Sequence, residues 1–171
     1  MARHLIAQST VWEARRELAR RSFSHFIKAI DIPGAPIDPE DENCEEFHLF
    51  RVAEFTAHHA LLVDRLQKLA ESQDSKDETL CRNLMVFMPP GSAKSTYASV
   101  LFPVWLMIRR SGYQWILGSY AQALAKKMGR RSRALIKSKK FRKLFPDIAL
   151  TSDSKAADEF SLTNGSEYMA A

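Results

Sequence analysis

The chain has 171 residues, 46% apolar and 26% charged, a balance that suits one globular domain with a core and excludes general disorder. Formal net charge is +5, unevenly spread: residues 31–80 carry four Lys/Arg against thirteen Asp/Glu, whereas residues 81–171 carry fifteen against five, so the C-terminal half would attract a polyanion. The longest apolar segment, Val100 to Ile108, is half the ~18 residues that a bilayer span needs, and no membrane role is expected.

Residues 10–30 are predicted to form one helix. Thr10 and Glu13 have capping-box spacing, and Trp12, Leu18, Phe23, Phe26, Ile27 and Ile30 make a loose apolar stripe. Arg3 and His4 precede a short apolar run, but Glu13, Arg15 and Arg16 follow too soon for a signal peptide. Pro33, Gly34, Pro36 and Pro39 stop the helix and open a flexible linker into the acidic block Glu40 to Glu46. Cys44 and Cys81 have no ligand-like spacing; they read as free thiols in a reducing compartment, which excludes a disulfide scaffold and a zinc module. A second helix is predicted over 47–71, where Phe47, Phe50, Phe55, Leu62, Leu66 and Leu69 recur at helical spacing, and Ser72 to Glu78 reads as an exposed loop. The expected units are 1–46, 47–79 and 80–171.

The texture changes at Leu80. Leu84 to Met88 is an apolar run without alternation, as in a central strand buried on both faces, and Pro89 and Pro90 end it. A helix follows from Lys94 to Arg109, with Pro103 inside it as a source of a kink. Tyr113 to Gly118 reads as a second buried strand and Tyr120 to Ser138 as a further helix, with Ala123, Leu124, Met128 and Leu135 on its apolar side. Strand, helix, strand, helix at this spacing predicts a parallel α/β sheet. Asn164-Gly165 between two short alternating runs predicts a hairpin.

The segment Met88-Pro89-Pro90-Gly91-Ser92-Ala93-Lys94-Ser95-Thr96 lies between a predicted buried strand and a predicted helix, the context that a phosphate-binding loop requires. N–H groups at a helix start lack intrahelical partners, and the helix dipole favours an anion there. Lys94 would reach a terminal phosphate as a point charge, and the Ser95 hydroxyl could ligate magnesium bridging the phosphates. The standard pattern has glycine where Met88 and Ala93 stand; only Gly91 remains, at a shifted position. Ala93 is tolerable in the loop if its φ is negative. The residues alone leave two readings open: a nucleotide site, or a plain strand-to-helix turn with Ser92 capping the helix and Lys94 in solvent.

The run Leu84 to Met107 resembles the opening of the ATPase domain of the large terminase subunits of tailed phages, which are DNA-packaging motors. His58-His59 and Leu61 to Leu69 are similar to the helix preceding that domain. Trp115 to Ala125 and Phe160 to Gly165 extend the likeness across residues 47–171, and the first 46 residues are covered more loosely. Alanine before the lysine is itself a variant of that family's loop. The resemblance implies an α/β fold, a partial P-loop NTPase parallel sheet with helices on both faces, preceded by an N-terminal helical region. It implies ATP and Mg2+ as cofactors, held by Pro90, Gly91, Ser92, Ala93, Lys94, Ser95 and Thr96. Lys94 would be the catalytic cation on the β- and γ-phosphates, and Ser95 the magnesium ligand. Double-stranded DNA, a portal and a small terminase subunit are the implied partners, in the cytoplasm of a bacterial host.

Two departures shape the expectation. No arginine precedes Lys94 in the loop, where many members of that family carry one. The paired acids that follow Asn164-Gly165 in the family, and its nuclease domain, are not in this sequence; Asp153, Asp158 and Glu159 end no apolar run. The expected molecule is therefore an N-terminal fragment of a packaging ATPase that binds ATP-Mg without hydrolysing it. A helicase-like ATPase outside packaging would share the loop.

Lys126 to Lys143 holds ten Lys/Arg and no acid. Two readings stay open: the charged outer face of a helix on a sheet, or a polyanion contact, with Arg130, Arg131 and Arg133 as the DNA-facing residues. The second underlies an alternative function, a non-catalytic module that binds DNA or a protein partner through 126–143. Trp115 and Tyr120 read as core. His58 and His59 are adjacent and point apart on a helix, so one packs, one is exposed, and neither chelates a metal.

Overall fold

The structure, a computed structural model, describes residues 2–75, 77, 79, 80, 82–152 and 159–171, with side chains from residue 10 onward. Cys81, Asp153 and Asp158 lie outside the described residues. The first predicted helix is two: α1 (Ala2–Arg21) and α2 (Phe23–Ala29). Thr10 lies within α1 and does not start it. The break falls at Ser22, whose backbone is extended and whose Oγ accepts from the His25 N–H at 3.5 Å, the N-cap role. The second part of the apolar stripe closes on the core as expected, with Phe23, Phe26, Ile27 and Ile30 fully buried, and Trp12 packs against it, but Leu18 is 46% exposed.

The expected flexible linker is instead anchored at both ends. Strands β1 (Ile32–Pro36) and β2 (Phe47–Phe50) pair antiparallel, with a register shift between Pro33 and Pro36. Proline cannot donate to a ladder, but a two-stranded ribbon has outer edges that tolerate it. The second predicted helix therefore starts late: α3 (Ala57–Asp74) begins only after Thr56. It also runs on through part of the predicted exposed loop. Ser72 is buried there, its Oγ donating to Leu69 O at 2.8 Å, and Asp74 pairs with both Arg109 and Arg110.

Residues 84–88 alternate half-buried and exposed, as an extended segment does, yet no strand pairs with them among the described residues. Leu84, Val86 and Met88 pack on the core, while Met85 and Phe87 are 79% and 86% exposed. The prediction of a strand buried on both faces fails here, because such a strand needs covered faces as well as ladder neighbours.

The helix predicted from Lys94 forms in two registers. Thr96–Leu101 is a π-helical turn, which passes into α4 (Phe102–Arg109). Phe102 N–H reaches back five residues to Tyr97 O. Pro103 explains the change: its ring would clash with the Ser99 carbonyl and it has no N–H to donate, so a wider turn ahead of it relieves the ladder.

Strand β3 (Gln114–Leu117) leads into α5 (Gln122–Lys137) and α6 (Lys139–Leu144), which Ser138 separates and N-caps. Strands β4 (Glu159–Ser161) and β5 (Glu167–Ala170) complete a three-stranded sheet of order β3-β5-β4. β3 and β5 run parallel and β4 antiparallel, so the sheet is mixed. The predicted hairpin forms. Gly165, at φ 78°, bonds back to Leu162 O at 2.9 Å, and Leu162 N–H reaches Ser166 O at 2.8 Å, the pattern of a type I turn with a glycine bulge. Its polar tip also caps α4: Asn164 Nδ2 donates to Met107 O at 2.7 Å and Ser166 Oγ to Arg110 O at 3.1 Å.

One sheet face packs on the core through Phe160 and Tyr168, whose rings stack at 4.7 Å. The other, carrying Ile116 at 72% exposure and Met169, has no helix on it among the described residues, which corrects the expectation of helices on both faces. The architecture is mixed α/β, with N-terminal helices ahead of a small, incompletely closed sheet. One core runs through all three expected units: Phe23 contacts Trp105 at 5.1 Å and Phe102 at 5.5 Å, and Trp105 Nε1 donates to Ala19 O at 3.0 Å. Among the described residues no helix is long and apolar enough to cross a membrane.

A candidate phosphate-binding loop

Residues 89–96 join the extended segment to the π-helical turn. Pro89 to Ser92 is a reverse turn closed by Ser92 N–H to Pro89 O at 3.3 Å. Pro90 pre-sets φ at its second position and Gly91, at φ 79°, supplies the positive φ at its third. Ala93 then takes φ 57°, so the negative φ that would make alanine tolerable here is not adopted. A Cβ in the left-handed region costs about 1–2 kcal/mol, so the position asks for the glycine that the standard pattern has there. Ala93 O accepts the first helical bond, from Tyr97 N–H at 3.2 Å, and the N–H groups just after it open the helix without intrahelical acceptors.

Lys94 does not stand in solvent. Its Nζ folds back over the loop and donates to Met88 O at 3.1 Å and Pro89 O at 3.5 Å. Nor does Ser92 cap the helix: its Oγ is buried with no hydrogen-bond partner. Ser95 is exposed, with its hydroxyl uncommitted to a cap. Thr96 is turned inward, its Oγ1 accepting from Arg131 Nη2 at 2.9 Å.

A second support comes from α3. His59 Nε2 donates to Ser92 O at 2.9 Å while its Nδ1 faces Thr56 Oγ1 at 3.0 Å. In the neutral ring the proton sits on Nε2 and the threonine hydroxyl donates to Nδ1. The imidazole also packs on Tyr97 at 4.8 Å. His59 is thus the packed histidine and His58 the exposed one, as expected, but the rings do not point apart: their centroids lie 4.1 Å from each other and both face Thr56 Oγ1. Nothing in the sequence pattern marked His59 or Thr56 as loop supports, since His59 acts on a backbone carbonyl and Thr56 acts only through His59. An open, largely apolar cleft of about 520 Å³ lies between α3 and the extended segment, bounded by Leu61, Arg65, Met85, Phe87 and Ser92.

The loop suits a polyphosphate in three respects: an orphaned serine hydroxyl, a lysine held only by backbone carbonyls, and an open surface at Gly91, where an added Cβ would meet nothing within 4 Å. Magnesium fits only as a metal carried by a nucleotide and touched by Ser95, because the described residues contain no cluster of metal-ligating side chains.

The basic run divides into inner and outer residues. Arg131 and Arg133 are buried, which removes them from a DNA-facing surface; of the three arginines singled out, Arg130 alone is partly exposed. Outside, the acidic connection lies on the helix and does not hang free. Glu45 pairs with Lys137 at 2.7 Å, and Asp31 with Lys140 at 3.2 Å and Arg51 at 2.5 Å. The Lys137 hydrogen bond holds the Glu45 carboxyl below its ordinary value against the opposing effect of burial, and the fields of Arg133 and Arg130 add to it. Burial would raise Asp31, but Arg51 and Lys140 outweigh it and bring that carboxyl down as well. Lys143 sits over the Trp12 ring at 4.3 Å. Lys127, Lys139 and Arg142 are exposed. Trp115 packs edge-on against Phe102, as expected of a core residue, whereas Tyr120 is 96% exposed and is not core.

Comparison of the chain with protein-family models, with curated proteins and with solved structures returns no match.

Proposed function

We propose that residues 90–96 bind the phosphates of ATP-Mg, in a module related to the ATPase domain of phage DNA-packaging motors. The observation that carries the reading is the pose of Lys94. A lysine in a plain turn extends into water, whereas this one lies across the loop on Met88 and Pro89 carbonyls while Ser92 leaves its hydroxyl unpaired. Both groups exchange poor partners for good ones when a phosphate chain enters. Lys94 supplies charge to the β- and γ-phosphates, Ser95 touches the magnesium, and the helix-start N–H groups of the loop surround the rest. Bound ATP-Mg supplies the transferable phosphoryl group. The proposed role is binding of ATP-Mg. The packaging reading rests on the resemblance of Leu84 to Met107, and with it come double-stranded DNA, a portal, a small terminase subunit and a bacterial cytoplasm.

Calorimetric titration with ATP-Mg is the test. Wild type binds, Lys94→Ala loses at least about tenfold in affinity, and Ser95→Ala loses the magnesium dependence. A chain folded by circular dichroism that gives no binding heat would sink the proposal. The alternative, a non-catalytic module on the basic helix, keeps Lys127, Arg130, Lys139 and Arg142 as its surface. It is favoured if duplex DNA binds with steep salt dependence and Lys94→Ala changes nothing.

A further inference from the structure

Arg131 has an environment that a helix on a sheet does not explain. It lies on α5 within the basic run, yet it turns inward and is only 8% exposed. Its Nε and Nη2 donate to Pro33 O at 3.1 and 2.6 Å, and Nη2 also donates to Thr96 Oγ1 at 2.9 Å. Every one of these acceptors is neutral. Among the described residues no carboxylate pairs with Arg131, although neighbouring cations on the same helical run find Glu45 and Asp31. Burial weakens its hold on the proton, but a guanidinium starts so far above neutrality that it stays charged. A buried charge without a counter-ion is costly, and an outward arginine was available at many positions of this helix.

We infer that Arg131 is a positioning residue of the phosphate loop, a second positive charge placed behind Thr96 whose counter-ion is the polyphosphate bound in front. Thr96 directly follows Ser95, so the guanidinium pins the first turn after the loop and adds its field to that of Lys94 through protein and not through water. Two cations, one bonded to the start of the loop and one to the residue at its end, select for a ligand carrying several negative charges, a nucleoside triphosphate or tripolyphosphate over a monophosphate. The inference rests on the proposed phosphate site and deepens it.

Titrations of wild type, Lys94→Ala, Arg131→Gln and Arg131→Lys with ATP-Mg and with tripolyphosphate, at several salt concentrations, test it. Arg131→Gln keeps a donor for Pro33 O and removes the charge. It should bind about tenfold more weakly with a shallower salt slope, and Arg131→Lys should restore affinity to within about threefold. A folded Arg131→Gln protein with wild-type affinity and slope, in the same experiment where Lys94→Ala loses binding, overturns the role of Arg131 and leaves the loop standing. No binding by wild type overturns both. Should Arg131→Gln not fold, the Nε–H resonance of Arg131 in wild type decides. A shift on adding tripolyphosphate supports the role, and an unmoved resonance overturns it.

Discussion

Trp105 on α4 is enclosed by Phe23 and Phe102 and donates its indole N–H to Ala19 O, while Ile116 on β3 stands 72% exposed on a sheet face that none of the described elements covers. The helical side of the molecule is closed and the sheet side is open. The closed side is built from helices whose backbone bonds are internal, so each needs only an apolar neighbour. The open side depends on ladder partners and covering layers, and the 84–88 segment and the outer edge of β3 have none among the described residues. The candidate loop lies at the seam between these regions, fed by an unpaired extended segment and followed by a fully buried helix.

Substitutions break this contrast most strongly at its extremes. Trp105→Ala should cost about 3–5 kcal/mol by denaturant unfolding, through the cavity it opens, whereas Ile116→Thr should stay within about 0.5 kcal/mol. Equal effects at the two sites would mean that the sheet face is covered after all. The seam itself is probed by Ala93→Gly, which removes the penalty of a Cβ at φ 57° and should stabilise the chain by about 1 kcal/mol. A loss of stability there would mean that the loop does not hold Ala93 in the left-handed region.

The smallest effect comes from the acidic connection. Asp31 and Glu45 titrate below their ordinary values of 3.8 and 4.5, so their contribution is fully present above those values. It is lost as the pH falls through their lower folded-state values. These pairs are partly exposed, so Glu45→Gln should change stability at neutral pH by less than about 1 kcal/mol and flatten the acid limb of the stability profile. An unchanged acid limb would mean that Glu45 gains nothing from α5.

How much of this was legible follows the same divide. The apolar stripe of Phe23, Phe26 and Ile27, the helices α4 and α5 and the hairpin at Asn164-Gly165 could be read directly, because local spacing and turn chemistry specify them, whereas α6 and the π-helical turn before α4 could not. The ribbon of β1 and β2 could not, since prolines in an acidic stretch also describe a linker, and pairing between distant strands leaves no local mark. The apolar run at 84–88 looked buried because apolar composition reports what a segment prefers and not what covers it. At the site, Lys94 and Ser95 were singled out from a strand-to-helix setting, of which the helix forms and the strand has no ladder partner among the described residues. The left-handed Ala93, the inward turn of Arg131 and the support from His59 were not, because each depends on a partner far along the chain.

The most direct test of the loop is amide hydrogen exchange with and without ATP-Mg. Protection confined to residues 91–97 is the predicted result, with residues 122–144 unchanged. Protection over the basic helix alone, or none anywhere in a folded chain, would contradict the phosphate-loop account.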